Sequence, residues 1–205
     1  DENGVRVNKT RYVIGGIEYS FAQDGKMYAN AWVPSYSSSD FSYAGVSGAL
    51  VKGEQYIDGI WYFFNENGRM VTGAVNHDEQ WYLYGDDGAY VGRINSEGWN
   101  YLQGNYYYLI NGEVIRGQLL QVGNEYYGFD YQGKMYQNTN EYINGERYYF
   151  GSSGAAMRGW IKVLNQYYYG DPDDAKLITN GKKEIDGATY YFMQDGSMAT
   201  GETYI

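Results

Sequence analysis

Apolar and polar positions along the chain alternate in short runs, and each run stops at a polar turn closed by glycine. The pattern reads YSFAQDGKM over 19–27, YFFNENGRM over 62–70, YLYGDDGAY over 82–90 and YYLINGEV over 107–114. It returns as YGFDYQGKM (127–135), YYFGSSGAAM (148–157), YYGDPDDAKL (168–177) and YYFMQDGSM (190–198), with a weaker copy FSYAGVSGAL at 41–50. Aromatic runs such as Trp61, Tyr62, Phe63 and Phe64 suit strands that carry side chains on both faces. The Asn, Asp and Gly after each run tolerate positive φ and predict a tight turn. The expected unit is a hairpin: aromatic strand, glycine turn, short return strand. The second recurring element, IDG (57–59), LQG (102–104), ING (143–145) and IDG (185–187), is expected to lead into the next hairpin.

The repeat decides the fold class. Gly25, Gly48, Gly68, Gly88, Gly112, Gly133, Gly154 and Gly196 anchor successive copies, and Ala175 stands in the eighth place, between Gly154 and Gly196. The spacing stays close to 21 residues, so about nine copies span the chain as a single array over 1–205. An isolated two-stranded hairpin is marginal in water. Each copy must bury its rings on its neighbour, which predicts an all-β chain, a β-solenoid of stacked β-hairpin repeats. The segment 33–47, with Pro34 and a serine cluster, breaks the pattern and reads as a surface loop inserted in the array.

Composition sharpens this picture. The 205 residues include 27 Tyr, 5 Trp, 7 Phe and 29 Gly. Glycine costs about 1 kcal/mol against alanine in a helix interior, so this excess favours strands and turns. The net charge of −10 disfavours nucleic acid, whose phosphates demand a basic face, and docking on anionic lipid. No apolar run approaches the roughly 18 residues needed to span a bilayer, so no membrane insertion is expected. Without cysteine there is neither a disulfide framework nor a thiolate metal site. The chain opens without a secretory leader, so it is expected to be the mature piece of a longer secreted protein.

Catalytic chemistry finds little support. Asp24, Asp86, Asp87, Asp173, Asp174 and Asp195 all fall in glycine turns, where turn preference accounts for them. The one histidine, His77, lies in NHDE (76–79) with no second histidine or cysteine beside it. It reads as a solvated turn residue rather than part of a triad or metal site. No catalytic residue, metal ligand or cofactor is expected.

GWNYLQGNYYY (98–108) and GWIKVLNQYYY (159–169) resemble the choline-binding and glucan-binding repeats of Gram-positive surface proteins. YINGERYYFGSSGAAM (142–157) also resembles the short repeats of clostridial large-toxin receptor-binding regions. The resemblance implies a left-handed, roughly three-fold solenoid with ligand held between successive hairpins by three aromatic walls and a nearby methionine. Carried over by position, it implies one cage of Trp99, Tyr106 and Tyr127 and another of Trp160, Tyr167 and Tyr191. Trp61 and Trp81 are left as half-cages, because Glu54 and Ala74 stand where the first tryptophan belongs. Gln118 with Glu125, Asn140 with Arg147, and Lys182 with Thr189 supply no walls. Trp32 runs into the irregular segment, which leaves it without an evident partner. The implied function is a non-catalytic, secreted, cell-wall-associated module. It would hold a larger protein on a surface polymer through choline or carbohydrate. A host-glycan receptor region and a passive stalk are the alternatives.

Overall fold

The structure, a computed structural model, describes residues 10–34 and 41–200. It divides into two compact units, 1–94 and 95–205. In the first, strands pair as β1 (Thr10–Ile14) with β2 (Ile17–Phe21), β3 (Ala31–Pro34) with β4 (Phe41–Ala44), and β5 (Gly53–Ile57) with β6 (Ile60–Phe64). β7 (Gly73–His77), β8 (Gln80–Tyr84) and β9 (Tyr90–Ile94) form a three-stranded sheet. The second unit opens with a three-stranded sheet of β10 (Gly98–Leu102), β11 (Asn105–Ile110) and β12 (Glu113–Val114). Four hairpins complete it: β13 (Leu119–Val122) with β14 (Glu125–Gly128), β15 (Thr139–Ile143) with β16 (Glu146–Phe150), β17 (Gly159–Val163) with β18 (Gln166–Gly170), and β19 (Gly181–Ile185) with β20 (Ala188–Phe192). No helix occurs among the described residues, and the all-β array of hairpin repeats expected from the sequence is what forms. Of the irregular segment, 33–34 and 41–44 are hairpin strands rather than loop, and 35–40 lie outside the described residues.

The turn that closes each hairpin differs from expectation. The long ladder of β5 and β6 runs from Gly53↔Phe64 to Ile57↔Ile60 and is closed by Asp58 and Gly59, at φ +51 and +88. Two consecutive positive φ values make a turn whose twist matches that of the strands it joins. Gln103 with Gly104, Asn144 with Gly145, and Asp186 with Gly187 repeat it. The second turn, here Asn65 to Arg69, is wider. Gly68 N donates to Asn65 O, and Asn65 Oδ1 accepts from the Asn67 and Arg69 amides. Beyond this turn the return segment pairs through a single bridge, Phe64↔Met70.

That short return segment joins neighbouring hairpins. Backbone amides on an extended chain point alternately to either side. Met135 N donates across to Tyr106 O of the preceding hairpin at 2.9 Å, while Tyr136 N donates back to Gly128 O of its own at 2.9 Å. Met70 and Val71 do the same toward Phe41 and Phe63, and Met198 and Ala199 toward Tyr167 and Tyr191.

The same segment explains the Gly-x-Met spacing. A Cβ on Gly154 would stand 2.2 Å from Met135 Cε, and one on Gly88 would stand 2.2 Å from Met70 Sδ. The apolar residue of one copy therefore sits in the space left by the next copy's turn glycine. One junction exchanges both partners. Ala156 takes the methionine place and Ala175, at φ +60, takes the glycine place, and the two share one buried cluster. Small against small replaces large against none. Ala156→Met alone should therefore overpack the junction and cost about 1–3 kcal/mol. Adding Ala175→Gly should recover most of that loss in urea unfolding. Strictly additive effects of the two substitutions would show that the residues are not coupled.

Between hairpins, alternate residues of the aromatic strand bury. Phe64, Phe129, Phe150 and Phe192, each last in its aromatic run, are 1% exposed or less. Tyr107, Tyr148 and Tyr168, two residues before that position, are also buried. Burial pushes the Tyr148 and Tyr168 hydroxyls above their ordinary pKa. His77 joins this layer and is not a solvated turn residue. It occupies the strand end that Ile57, Ile143 and Ile185 fill elsewhere. Its ring stacks between Phe63 at 4.3 Å and Tyr82 at 3.9 Å, and Nε2 lies 3.2 Å from the Tyr84 hydroxyl.

Candidate ligand-binding seams

A strand shows successive side chains to opposite faces, so each hairpin has two different faces. The face bearing the first-strand tryptophan packs on the buried face of the next hairpin. Trp99 meets its cross-strand partner Tyr108 at 4.9 Å, then Tyr127 at 4.8 Å and Phe129 at 6.0 Å from the following hairpin. Nearer the hairpin turn, Tyr106 stands 6.2 Å from Trp99 with the two ring planes 88° apart. Trp99 and Tyr106 remain 38% and 37% exposed, so neither ring is consumed by the core. With Met135, Gln137, Ser152 and Ser153 they line an open cavity of about 360 Å³, within the size range of small-ligand sites. Three rings and a thioether can surround a cation, each ring contributing about 0.5–2 kcal/mol.

The Trp160 seam repeats this frame with one change from expectation. Trp160 packs on Tyr169 at 5.2 Å, Tyr190 at 4.8 Å and Phe192 at 6.2 Å. The third wall is Tyr190, not Tyr191. Adjacent tyrosines face opposite sides, and Tyr191 is the cross-strand partner of Lys182. Tyr190 holds the register place that Tyr127 holds beside Trp99, two residues after the turn-proximal end of its strand. Tyr167 takes the place of Tyr106, and its carbonyl accepts from Met198 N at 2.7 Å as Tyr106 accepts from Met135. Lys162 Nζ lies 5.4 Å from the Tyr167 ring, whereas the equivalent neighbour of Tyr106 is Tyr101, ring to ring at 4.7 Å.

Sequence reading missed a third seam. Trp32 packs on Tyr43 at 5.4 Å, Tyr62 at 4.9 Å and Phe64 at 6.0 Å. Its turn-side partner is Phe41, paired to Pro34 as Tyr106 is paired to Tyr101. Met70 N bonds the Phe41 carbonyl at 2.7 Å. The irregular segment shifts the spacing from seven residues to nine and hides the match. The Pro34 register across that insertion was the one available signal.

The remaining candidates depart from the frame. Trp81 is 5% exposed, a core residue rather than a ligand wall. Trp61 is half exposed and leans on Tyr56 at 5.1 Å. It lines a smaller space of about 220 Å³ with Glu54, Tyr82 and Tyr90. There the Arg93 guanidinium covers the Tyr82 ring at 5.3 Å. In the next unit the ladder puts Leu119 and Tyr126, not Gln118 and Glu125, at the two wall positions. Arg158 lies 5.7 Å from the Tyr126 ring and pairs with Glu125 at 2.7 Å. Arg11 stands at the tryptophan place of the first hairpin, paired with Glu18 at 3.5 Å and hydrogen-bonded to Ser42 Oγ. Each of these seams holds a cation supplied by the chain itself. Among the described residues no group of three or more His, Asp or Glu is placed to hold a metal ion.

Residues 51–93 and 141–181 match the choline-binding repeat family, and 183–198 match the putative cell wall binding repeat. No curated protein matches the chain. Among solved structures it is similar to CbpJ from Streptococcus pneumoniae TIGR4, at 22% identity over 89% of this chain and 70% of that one, with a TM-score of 0.48. Choline binding protein F from Streptococcus pneumoniae, solved with a peptidoglycan analogue, gives 22% identity over 92% and 71% at TM-score 0.48. The choline-binding domain of CbpL from Streptococcus pneumoniae gives 24% over 94% and 98% at TM-score 0.43. The Trp160 seam, with its Tyr190 wall and Met198, lies across the second and third matched stretches, and the chain thereby carries repeats of the choline-binding, cell-wall-binding family.

Proposed function

We propose that this chain is a non-catalytic module that holds a secreted protein on wall polymer through the polymer's choline groups. The observation that carries the reading is the Trp99 seam, where Trp99, Tyr106 and Tyr127 stand around an open cavity beside Met135. The same frame recurs at Trp32 and Trp160, which places it in the second, fifth and eighth hairpins in chain order. A trimethylammonium group has no N–H to donate, so ring faces and a polarizable sulfur suit it better than hydrogen-bond acceptors do. The net charge of −10 draws cations toward the surface. Each site alone is weak. Several sites on one polymer bind in succession at high effective concentration.

Retention on purified wall is the test. The module should stay on wall carrying choline-substituted polymer and elute with free choline. Equal retention on choline-free wall would overturn the reading.

The lysine beside Tyr167 gives a finer expectation. Its ammonium already faces one ring of the Trp160 cage and repels a second cation. Lys162→Tyr should raise choline affinity at that seam by roughly three- to tenfold, the change expected from about 1 kcal/mol. Calorimetry in a background carrying both Trp32→Ala and Trp99→Ala isolates the effect, and an unchanged isotherm would show that Lys162 has no bearing on the site.

A further inference from the structure

The β15–β16 hairpin lacks both of its own walls of the cation cage and carries a different set. Asn140 stands at the tryptophan position and Arg147 at the turn-side aromatic position. A guanidinium there repels choline. Yet the seam is not closed over. A polar cleft of about 430 Å³ remains, lined by Tyr142, Glu146, Arg147, Thr179, Asn180 and Gln194. Tyr142 is 65% exposed, the Arg147 guanidinium lies 5.6 Å from its ring, and much of the ring surface faces solvent.

The polar walls are held in place before any ligand arrives. Arg147 Nη1 donates to Asn140 Oδ1 at 3.4 Å, and Asn140 Nδ2 donates to Asp195 O at 3.1 Å in the turn that carries Gln194. Lys176 Nζ sits 3.7 Å from Glu146. The Asn180 amide donates to Met193 O at 3.0 Å, which ties the Asn180 corner to the same turn. Amide, hydroxyl, carboxylate and guanidinium groups converge beside one flat ring. That is the chemistry for hydroxyl groups arranged around an apolar C–H face. Charge points the same way. Lys176 is shared between Glu146 and Asp174, and together with Arg147 these two acids and two bases balance, so neither an anion nor a cation has a net partner there.

We infer that the cleft beside Tyr142 is a second kind of site, one that binds a neutral oligosaccharide. One sugar ring lies on Tyr142, and its hydroxyls bond Arg147, Glu146, Asn180 and Gln194. This inference does not depend on choline binding at the tryptophan seams. The module would then grip a polymer through both its charged substituents and its sugar backbone.

Isomaltotriose and tri-N-acetylchitotriose serve as probes, each titrated into the intact chain in saturating choline and monitored by calorimetry and by NMR. At least one should bind with a Kd on the order of 1 mM. Tyr142→Ala should weaken it tenfold or more, and Tyr142→Phe should hold it within about threefold. Gln194→Ala, in an exposed turn, should weaken it severalfold. Choline binding, measured separately on each variant without sugar, should stay unchanged in all three variants. The inference is overturned if neither sugar binds, or if both Tyr142→Ala and Gln194→Ala titrate like the parent. Loss of choline binding with sugar binding intact would instead count against the choline reading alone.

Discussion

Trp99→Ala should lower choline affinity at its seam by about ten- to thirtyfold while leaving the Trp160 seam untouched. Trp99 lies against both other walls of the cage, at 6.2 Å from Tyr106 and 4.8 Å from Tyr127. Its loss removes the strongest cation–π partner, worth about 2 kcal/mol when desolvated, and opens the cage to water. At 1.4 kcal/mol per factor of ten, that sets the expected range. Tyr106→Ala removes a ring from the same cage without touching Phe129 and should cost about tenfold. Calorimetric titration with choline chloride checks both variants. If Trp99→Ala bound like the parent while its thermal transition stayed in place, the tryptophan would be packing alone.

The second large effect concerns stability. Phe150→Ala should destabilise the second unit by about 3–5 kcal/mol, the usual cost of emptying a buried aromatic position. Phe150 is fully buried in a cluster with Ile143, Tyr148, Ala156 and Ala175. Tyr136 stacks on it at 5.7 Å. Gly128 of the preceding hairpin leaves room for its ring, since a Cβ there would come within 2.5 Å of Phe150 Cζ. The ring thus joins two hairpins rather than stiffening one. In an array where each copy contacts its neighbours, amide exchange should accelerate first around 126–157. A loss under about 1 kcal/mol in urea unfolding would mean that the hairpins do not depend on stacking.

Much of this was legible in the chain. The glycine period and the alternating aromatics foretold an all-β array of hairpins, because turn chemistry and two-sided strands leave few other options. The grouping of Trp99 with Tyr106 and Tyr127 was also legible, since the three rings keep regular spacing. Register was harder to read. Tyr190 and Tyr191 are chemically identical, and only the ladder across β19 and β20 decides which one faces Trp160. Phe41 was hidden behind an insertion within its own hairpin. His77 looked solvated because NHDE is turn-like. The structure instead puts the turn at Asp78 and Glu79, both at positive φ, one residue beyond the ring. Trp81 carries the same composition signal as Trp61, and burial alone separates a core ring from a surface one.

The most direct measurement is a crystal structure of this chain grown in choline. Density for a trimethylammonium group among Trp99, Tyr106 and Tyr127, beside Met135, is the predicted result, with weaker density at Trp160 where Lys162 competes. Empty seams at a choline concentration that elutes the module from wall would contradict it.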